Sequence, residues 1–242
     1  MFFSLLAIPL MAFGQWRVGV LGGQTVNFRS ASTHYMEHWE YRPLAGDILL
    51  NILGNVGIMG QYDVWQSKLT SKGQSWRLGV RAELDWVQKN YSLEKFFMYG
   101  HSLSDTGKKT LAGRDTHYND YLTLPLMGAL SWGWTKWRMM VNLGPYVAYW
   151  LHGKEEGYIS LNGKHLEYDG NYSFNKERDQ RWDYGIAAGI GLEWNFCQDY
   201  AVQVEARCYR SMQSTTKDYM TTINAPRYDT TLAFQFGLIY LF

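Results

Sequence analysis

Ten charged residues sit at alternate positions inside otherwise apolar runs: Arg17, Arg77, Arg81, Glu83, Asp85, Arg138, Asp183, Glu193, Glu205 and Arg207. Half are arginines and half carboxylates. A charge withdrawn from water persists only when it is paired and hydrogen-bonded. Equal numbers of opposite charges facing one interior therefore imply a network of ion pairs. We expect that network to comprise Arg17, Arg81, Glu83, Asp85, Arg138, Asp183, Glu193, Glu205 and Arg207, with Arg77 on the same face. Such a network either plugs the interior or lines a gated proton or ion path.

The other groups able to do chemistry are scattered. His34-Tyr-Met-Glu37-His38 has the spacing that would present two imidazoles to zinc from a helix, but no helix signal or third ligand accompanies it. His152 lies near the end of an apolar run without an activated serine beside it, so the Ser–His pair of a lipid hydrolase is not assembled. Gly107-Lys-Lys-Thr110 lacks the earlier glycine of a phosphate loop. Lys154-Glu-Glu156 and Lys176-Glu-Arg-Asp179 read as solvated faces. Cys197 and Cys208 are eleven positions apart and read as free thiols, too distant to bridge along one extended segment. We expect no catalytic residue, no metal and no cofactor.

The elements that must carry the charges are strands. The chain ends Leu232-Ala-Phe-Gln-Phe-Gly-Leu-Ile-Tyr-Leu-Phe242, with large apolar residues at every second place and Ala233, Gln235 and Gly237 between them. Alternate side chains of a strand face opposite ways, so one face is wholly apolar. Seven more segments carry this pattern: Trp16 to about Phe28, Val56–Val64, Trp76–Trp86, Leu122–Trp132, Trp137–Leu151, Trp182–Trp194 and Tyr200–Ala206. The second is the faintest, and Leu44–Leu53 either extends it upstream or forms a separate element. Because arginine and carboxylates occupy the opposite face, that face cannot be the core of a water-soluble, lipocalin-like barrel. The alternation predicts an all-β, closed, antiparallel, eight-stranded transmembrane barrel, apolar side out, with a lumen just wide enough for side chains to fill.

Connection lengths and aromatics point the same way. Short turns follow the second, fourth and sixth segments, and polar stretches of roughly twenty to thirty residues follow the others, the outer-membrane habit of short periplasmic turns and long extracellular loops. Trp16, Trp76, Trp86, Trp132, Trp137, Trp182, Trp194, Tyr240 and Phe242 fall at segment ends, where amphipathic rings mark membrane interfaces. The 242 residues are 17% aromatic and only 19% charged, and the net charge of +1 offers no field for nucleic acid. Beyond the N-terminus no apolar run approaches the ~18 residues of a membrane-spanning helix. Residues 1–14 read as a secretory signal peptide or, failing that, a buried first strand. Residues 15–242 form a single outer-membrane barrel domain.

Four blocks resemble the PorT-type outer-membrane β-barrel family of the Bacteroidota: Tyr121-Leu-Thr-Leu-Pro-Leu126, Val141-Asn-Leu-Gly-Pro-Tyr-Val-Ala-Tyr149, Tyr184-Gly-Ile-Ala-Ala-Gly-Ile-Gly-Leu-Glu193 and Gly237-Leu-Ile-Tyr-Leu-Phe242. The resemblance runs from about Trp16 to the end and implies an eight-stranded barrel in the cell outer membrane. Some members resemble a component of the type IX secretion system; the family brings no catalytic motif. The expected partners are outer-membrane lipid and, through the extracellular loops, other envelope or secretion proteins. The expected role is structural or interactive, with a plugged polar lumen. A narrow porin-like conduit is the alternative, and an outer-membrane enzyme a third class.

Overall fold

The computed structural model describes residues 15–31, 39–45, 53–98, 109–161, 164–217 and 226–242. The proposed signal peptide, the His34–His38 motif, His101 and Gly107-Lys108 lie outside these residues. Among the described residues the chain forms eleven strands: β1 (Gln15–Ala31), β2 (Trp39–Ala45), β3 (Asn55–Gln66), β4 (Ser75–Gln88), β5 (Tyr91–Met98), β6 (Lys109–Gly133), β7 (Trp137–Leu161), β8 (Lys164–Asn171), β9 (Trp182–Asn195), β10 (Tyr200–Ser211) and β11 (Arg227–Leu241). Eight of them close a ring in the order β1–β3–β4–β6–β7–β9–β10–β11 and back to β1, every neighbour antiparallel. These eight contain the eight alternating segments.

Along the wall Val20 lies beside Ile58 of β3 on one side and Leu238 of β11 on the other, and the register shifts at Asp63/Trp65 in β3 and at Asp120/Tyr121 in β6. Burial alternates residue by residue. Ile58, Ile190 and Phe236 are 59%, 65% and 64% exposed, whereas Arg81, Glu205 and Arg207 are 0%, 1% and 2% exposed. In water such a belt would be penalised by roughly 25 cal/mol per Å² of apolar surface. Against hydrocarbon it carries no penalty, and closure of the sheet satisfies every backbone group that lipid cannot. The polar interior and greasy exterior thus have one cause.

The long connections differ from the expected loops. β6 and β7 are 25 residues each and stay paired well past the apolar segments, to Gly113 opposite Ile159. β5 adds to β6, β2 to β5 and β8 to β7, so the wall rises into a sheet of polar strands. β2 also touches β1 at Leu44 and Ala45. Leu44 thus belongs to a separate element, and β3 begins afresh at Asn55.

Opposite the extension the turns are tight. Between β3 and β4 the Gly73 N–H donates to Thr70 O at 2.9 Å, and Gly73 takes φ +73°, a backbone shape that glycine adopts without strain. Cys197 lies exposed in the turn between β9 and β10 and Cys208 on β10; both are free.

Candidate functional site

The inward face of the ring fills the lumen in three levels. At the middle level, Arg81, Glu83 and Asp85 project from β4 while Gln203, Glu205, Arg207 and Tyr209 project from β10. These strands stand diametrically opposite in the ring. Arg207 binds Glu83 through Nη1, and its Nη2 donates to the other Glu83 oxygen at 2.9 Å. Its Nε donates to Glu205 at 2.8 Å. Arg81 pairs with Glu83 beside it and reaches across to Glu205 at 3.4 Å and Gln203 at 3.1 Å. Asp85 stands at the edge of this cluster, 3.9 Å from Arg207 and accepting from the Tyr209 hydroxyl at 3.3 Å. Two glycines make the space: a Cβ on Gly189 would strike the Glu205 carboxylate, and one on Gly57 the Asp85 carboxylate.

Toward the short-turn end, Arg17 binds Glu193 and lies 3.9 Å from Asp63, whose other oxygen accepts from Gln61 Nε2 at 2.6 Å. Arg138 departs from the expected ion pairing. Although in register with Glu193, it donates instead to Ser75 Oγ (3.0 Å), Ser75 O (2.9 Å) and Ser131 Oγ (3.4 Å). At the opposite end Asp183 is held by Lys89, Ser211 and Tyr146 rather than by an arginine. Above it Arg29 binds Asp229 through two hydrogen bonds of 2.8 Å and stacks over Tyr91.

The long-loop mouth is capped. Residues 172–181 cross it and join residues 214–217 through an Asp179–Thr216 bridge and a Gln180 N–H donating to Thr215 O at 3.1 Å. Phe174 stacks on Trp150, and Arg181 lies 4.3 Å from the Phe174 ring centre. Burial and the Asp179 carboxylate together push the Tyr172 phenol well above its usual range, so it donates to Asp179 as a neutral group. What remains is a cleft of about 50 Å³ between Arg29, Tyr91, Tyr121, Trp150 and Arg227. Among the described residues no group of histidine, cysteine and carboxylates is spaced to hold a metal.

Several of these residues were missed in the sequence, but most had a signal. Asp63, Arg29 and Asp229 continue the inward parity of β3, β1 and β11. Lys89 follows the end of β4, where no parity applies. The aromatic residues named from the sequence all lie on the outer face or at its rim. Trp76–Trp132, Trp137–Trp194 and Tyr240–Phe242 make ring contacts of 6.0, 5.6 and 4.7 Å at the short-turn end, and Trp16 meets Tyr62 at 4.9 Å. At the other end Trp182 meets Tyr149 at 4.8 Å, and Trp86 lies exposed on the same belt.

Residues 8–217 match the family described as the outer membrane protein beta-barrel domain. Among solved structures, the chain is similar to the attachment invasion locus protein Ail of Yersinia pestis, with 11% identity, 93% of this chain and 98% of that one covered, and a TM-score of 0.36. It is similar to the outer membrane protease OmpT of Escherichia coli at 10% identity, 95% and 96% coverage and a TM-score of 0.44. For Neisserial surface protein A the values are 8%, 94%, 96% and 0.38. Likenesses this distant carry no argument about activity. No curated protein matches the chain. Given the family match over most of its length, the chain belongs to the outer-membrane β-barrel domain family and resides in the outer membrane.

Proposed function

We propose that this protein is a plugged outer-membrane barrel whose working surface is the polar sheet above the membrane, with a structural or binding role in the cell envelope. The observation that carries it is the crossing of the lumen by Arg207–Glu83 and Arg81–Glu205, ion pairs between opposite walls whose side chains are all 0% exposed. A solute would have to break paired, desolvated charges to pass, at several kcal/mol each. The aromatic cap formed by Trp150 and Phe174 adds a second closure. In this proposal residues 1–14 export the chain, residues 15–242 form the barrel, and the two aromatic bands sit at the membrane interfaces. The extracellular strands meet other envelope proteins. The finer resemblance to PorT-type barrels, and with it a place near a type IX secretion machine, rests on the four sequence blocks.

A narrow conduit is the second reading. Both side-chain polar atoms of Asn55, Asn142 and Gln235, together with Thr123 Oγ1, are buried without a protein partner. Polar groups in that state are satisfied by ordered water, which supports a hydrated lumen. Planar-bilayer recording decides between the two. The plug predicts silence, and Glu205→Gln should lower stability without opening a current. Stable unitary currents from the wild-type protein would overturn the plug in favour of the conduit.

A further inference from the structure

Charge is balanced across the lumen as a whole but not level by level. The middle level holds Arg81 and Arg207 against Glu83, Asp85 and Glu205. At the short-turn level three arginines, Arg17, Arg77 and Arg138, face two carboxylates, Asp63 and Glu193. Arg17 takes up both of those: it binds Glu193 and lies 3.9 Å from Asp63. Arg138 is solvated by serine oxygens, with no carboxylate within 4.0 Å among the described residues. That leaves Arg77. Its Nε and Nη1 are buried and have no hydrogen-bond partner.

Arg77 is held in place on β4, opposite Gln66 on one side and Ser131 on the other. It lines an open mouth of about 680 Å³ together with Gln15, Thr135, Lys136, Asn195 and Asp199. Asp199 is the lining carboxylate side chain, and it forms no ion pair with Arg77 or Lys136 within 4.0 Å. No nitrogen of this guanidinium has a hydrogen-bond partner among the described residues, and the edge shared by Nε and Nη2 presents a fork that fits two oxygens of one oxyanion. Arg17 and Arg138 behind it add positive potential and are themselves held off by their own partners. Leaving such charged donors desolvated and unpaired is unfavourable, so an acceptor at this position is favoured.

We propose that the short-turn mouth of the barrel is an oxyanion site, with Arg77 as the fork and Lys136 as the rim charge, accepting a phosphate group either free or on a lipid headgroup. Phe196 lines this mouth and contacts Trp194, which stacks on Trp137, so the mouth borders the aromatic band and both sources of phosphate can reach it. The site does not depend on whether the lumen conducts.

The test uses the full-length barrel in two settings. In non-ionic detergent, inorganic phosphate is titrated calorimetrically against chloride at fixed ionic strength. Wild-type protein should bind with a dissociation constant of about 1 mM or tighter, and Arg77→Met, which keeps the aliphatic stem, should bind at least tenfold more weakly. Should Arg77→Met fail to fold, Lys136→Gln, at an exposed turn position, should still weaken binding two- to threefold. In nanodiscs, melting temperature is compared between phosphatidylglycerol and phosphatidylcholine. Stabilisation by phosphatidylglycerol alone that is lost in the variants, with free phosphate silent, assigns the group to a lipid headgroup. The absence of any Arg77- or Lys136-dependent response in both settings overturns the proposal.

Discussion

The cluster of Arg81, Glu83, Glu205 and Arg207 and the trio of Arg42, Glu94 and Arg114 are built from the same two side-chain types. Their surroundings differ. In the lumen all four side chains are 0% exposed, and the bonds tie β4 to β10 across the full width of the barrel. In the sheet above, Arg42 and Arg114 are about half exposed around a mostly buried Glu94, and the bonds link neighbours β2, β5 and β6. An exposed pair exchanges one set of hydrated contacts for another and yields little. A buried pair has already lost its water, so removing either partner strands the other. The same salt bridge is thus a fixed constraint in one region and a soft contact in the other.

The largest effect that separates the two regions comes from Arg207→Met. Glu83 and Glu205 would then face each other across the lumen with only Arg81 between them, and we expect about 3–5 kcal/mol of destabilisation. Guanidinium unfolding in detergent, followed by tryptophan fluorescence, measures it. A loss under about 1 kcal/mol would mean that lumen charges behave like surface ones. On the outer wall, Phe236→Arg puts a charge into the apolar belt and should cost about 2–4 kcal/mol near the bilayer midplane. The same substitution at Leu166, an exposed residue of β8 above the belt, should fall within about 0.5 kcal/mol of wild type. Equal costs at the two positions would remove the lipid-facing assignment of β11. Smaller again is Gly189→Ala, which presses a methyl group onto the Glu205 carboxylate. We expect about 1–3 kcal/mol from overpacking, against almost none for Gly170→Ala, which has open space around it.

The same contrast explains which parts of the molecule were legible in the sequence. Where a strand separates lipid from lumen, the two faces need opposite residue types, so Trp76–Trp86 or Trp182–Trp194 reads directly as wall. Arg29 and Asp229 obey that parity and needed only a longer run along the strand, whereas Asp63 already sits on the inward side of Val56–Val64. β8, Lys-His-Leu-Glu-Tyr-Asp-Gly-Asn, alternates only over Leu166 to Asp169, too short a run to be told from a polar loop. Lys89 was invisible for another reason: it leaves β4 and turns back toward Asp183, a contact made by tertiary geometry alone. Arg138 shows the limit of counting charges. Its parity was right, but register gave it Ser75 and Ser131 as partners, and which of several inward neighbours a long side chain reaches is not set by its own sequence.

The smallest expected effect belongs to the outer sheet and depends on pH. Burial opposes the charged form of Glu94, but hydrogen bonds from Arg114 at 2.6 Å and Arg42 at 3.1 Å outweigh it and hold this carboxyl below the usual carboxylate range. A group whose folded pKa is depressed contributes stability above its unfolded pKa and loses it as pH falls through the folded value. The β2–β5–β6 contact should therefore be intact at pH 7 and begin to weaken only below about pH 4. Hydrogen exchange, corrected for the intrinsic effect of pH, should show protection falling in β2 and β5 while β10 and β11 stay protected. In Glu94→Gln the acid-induced change should vanish, with protection already reduced at neutral pH. If acid instead loosened β10 first, the lumen cluster would be the softer of the two, and the distinction between buried constraint and exposed contact would have to be reversed.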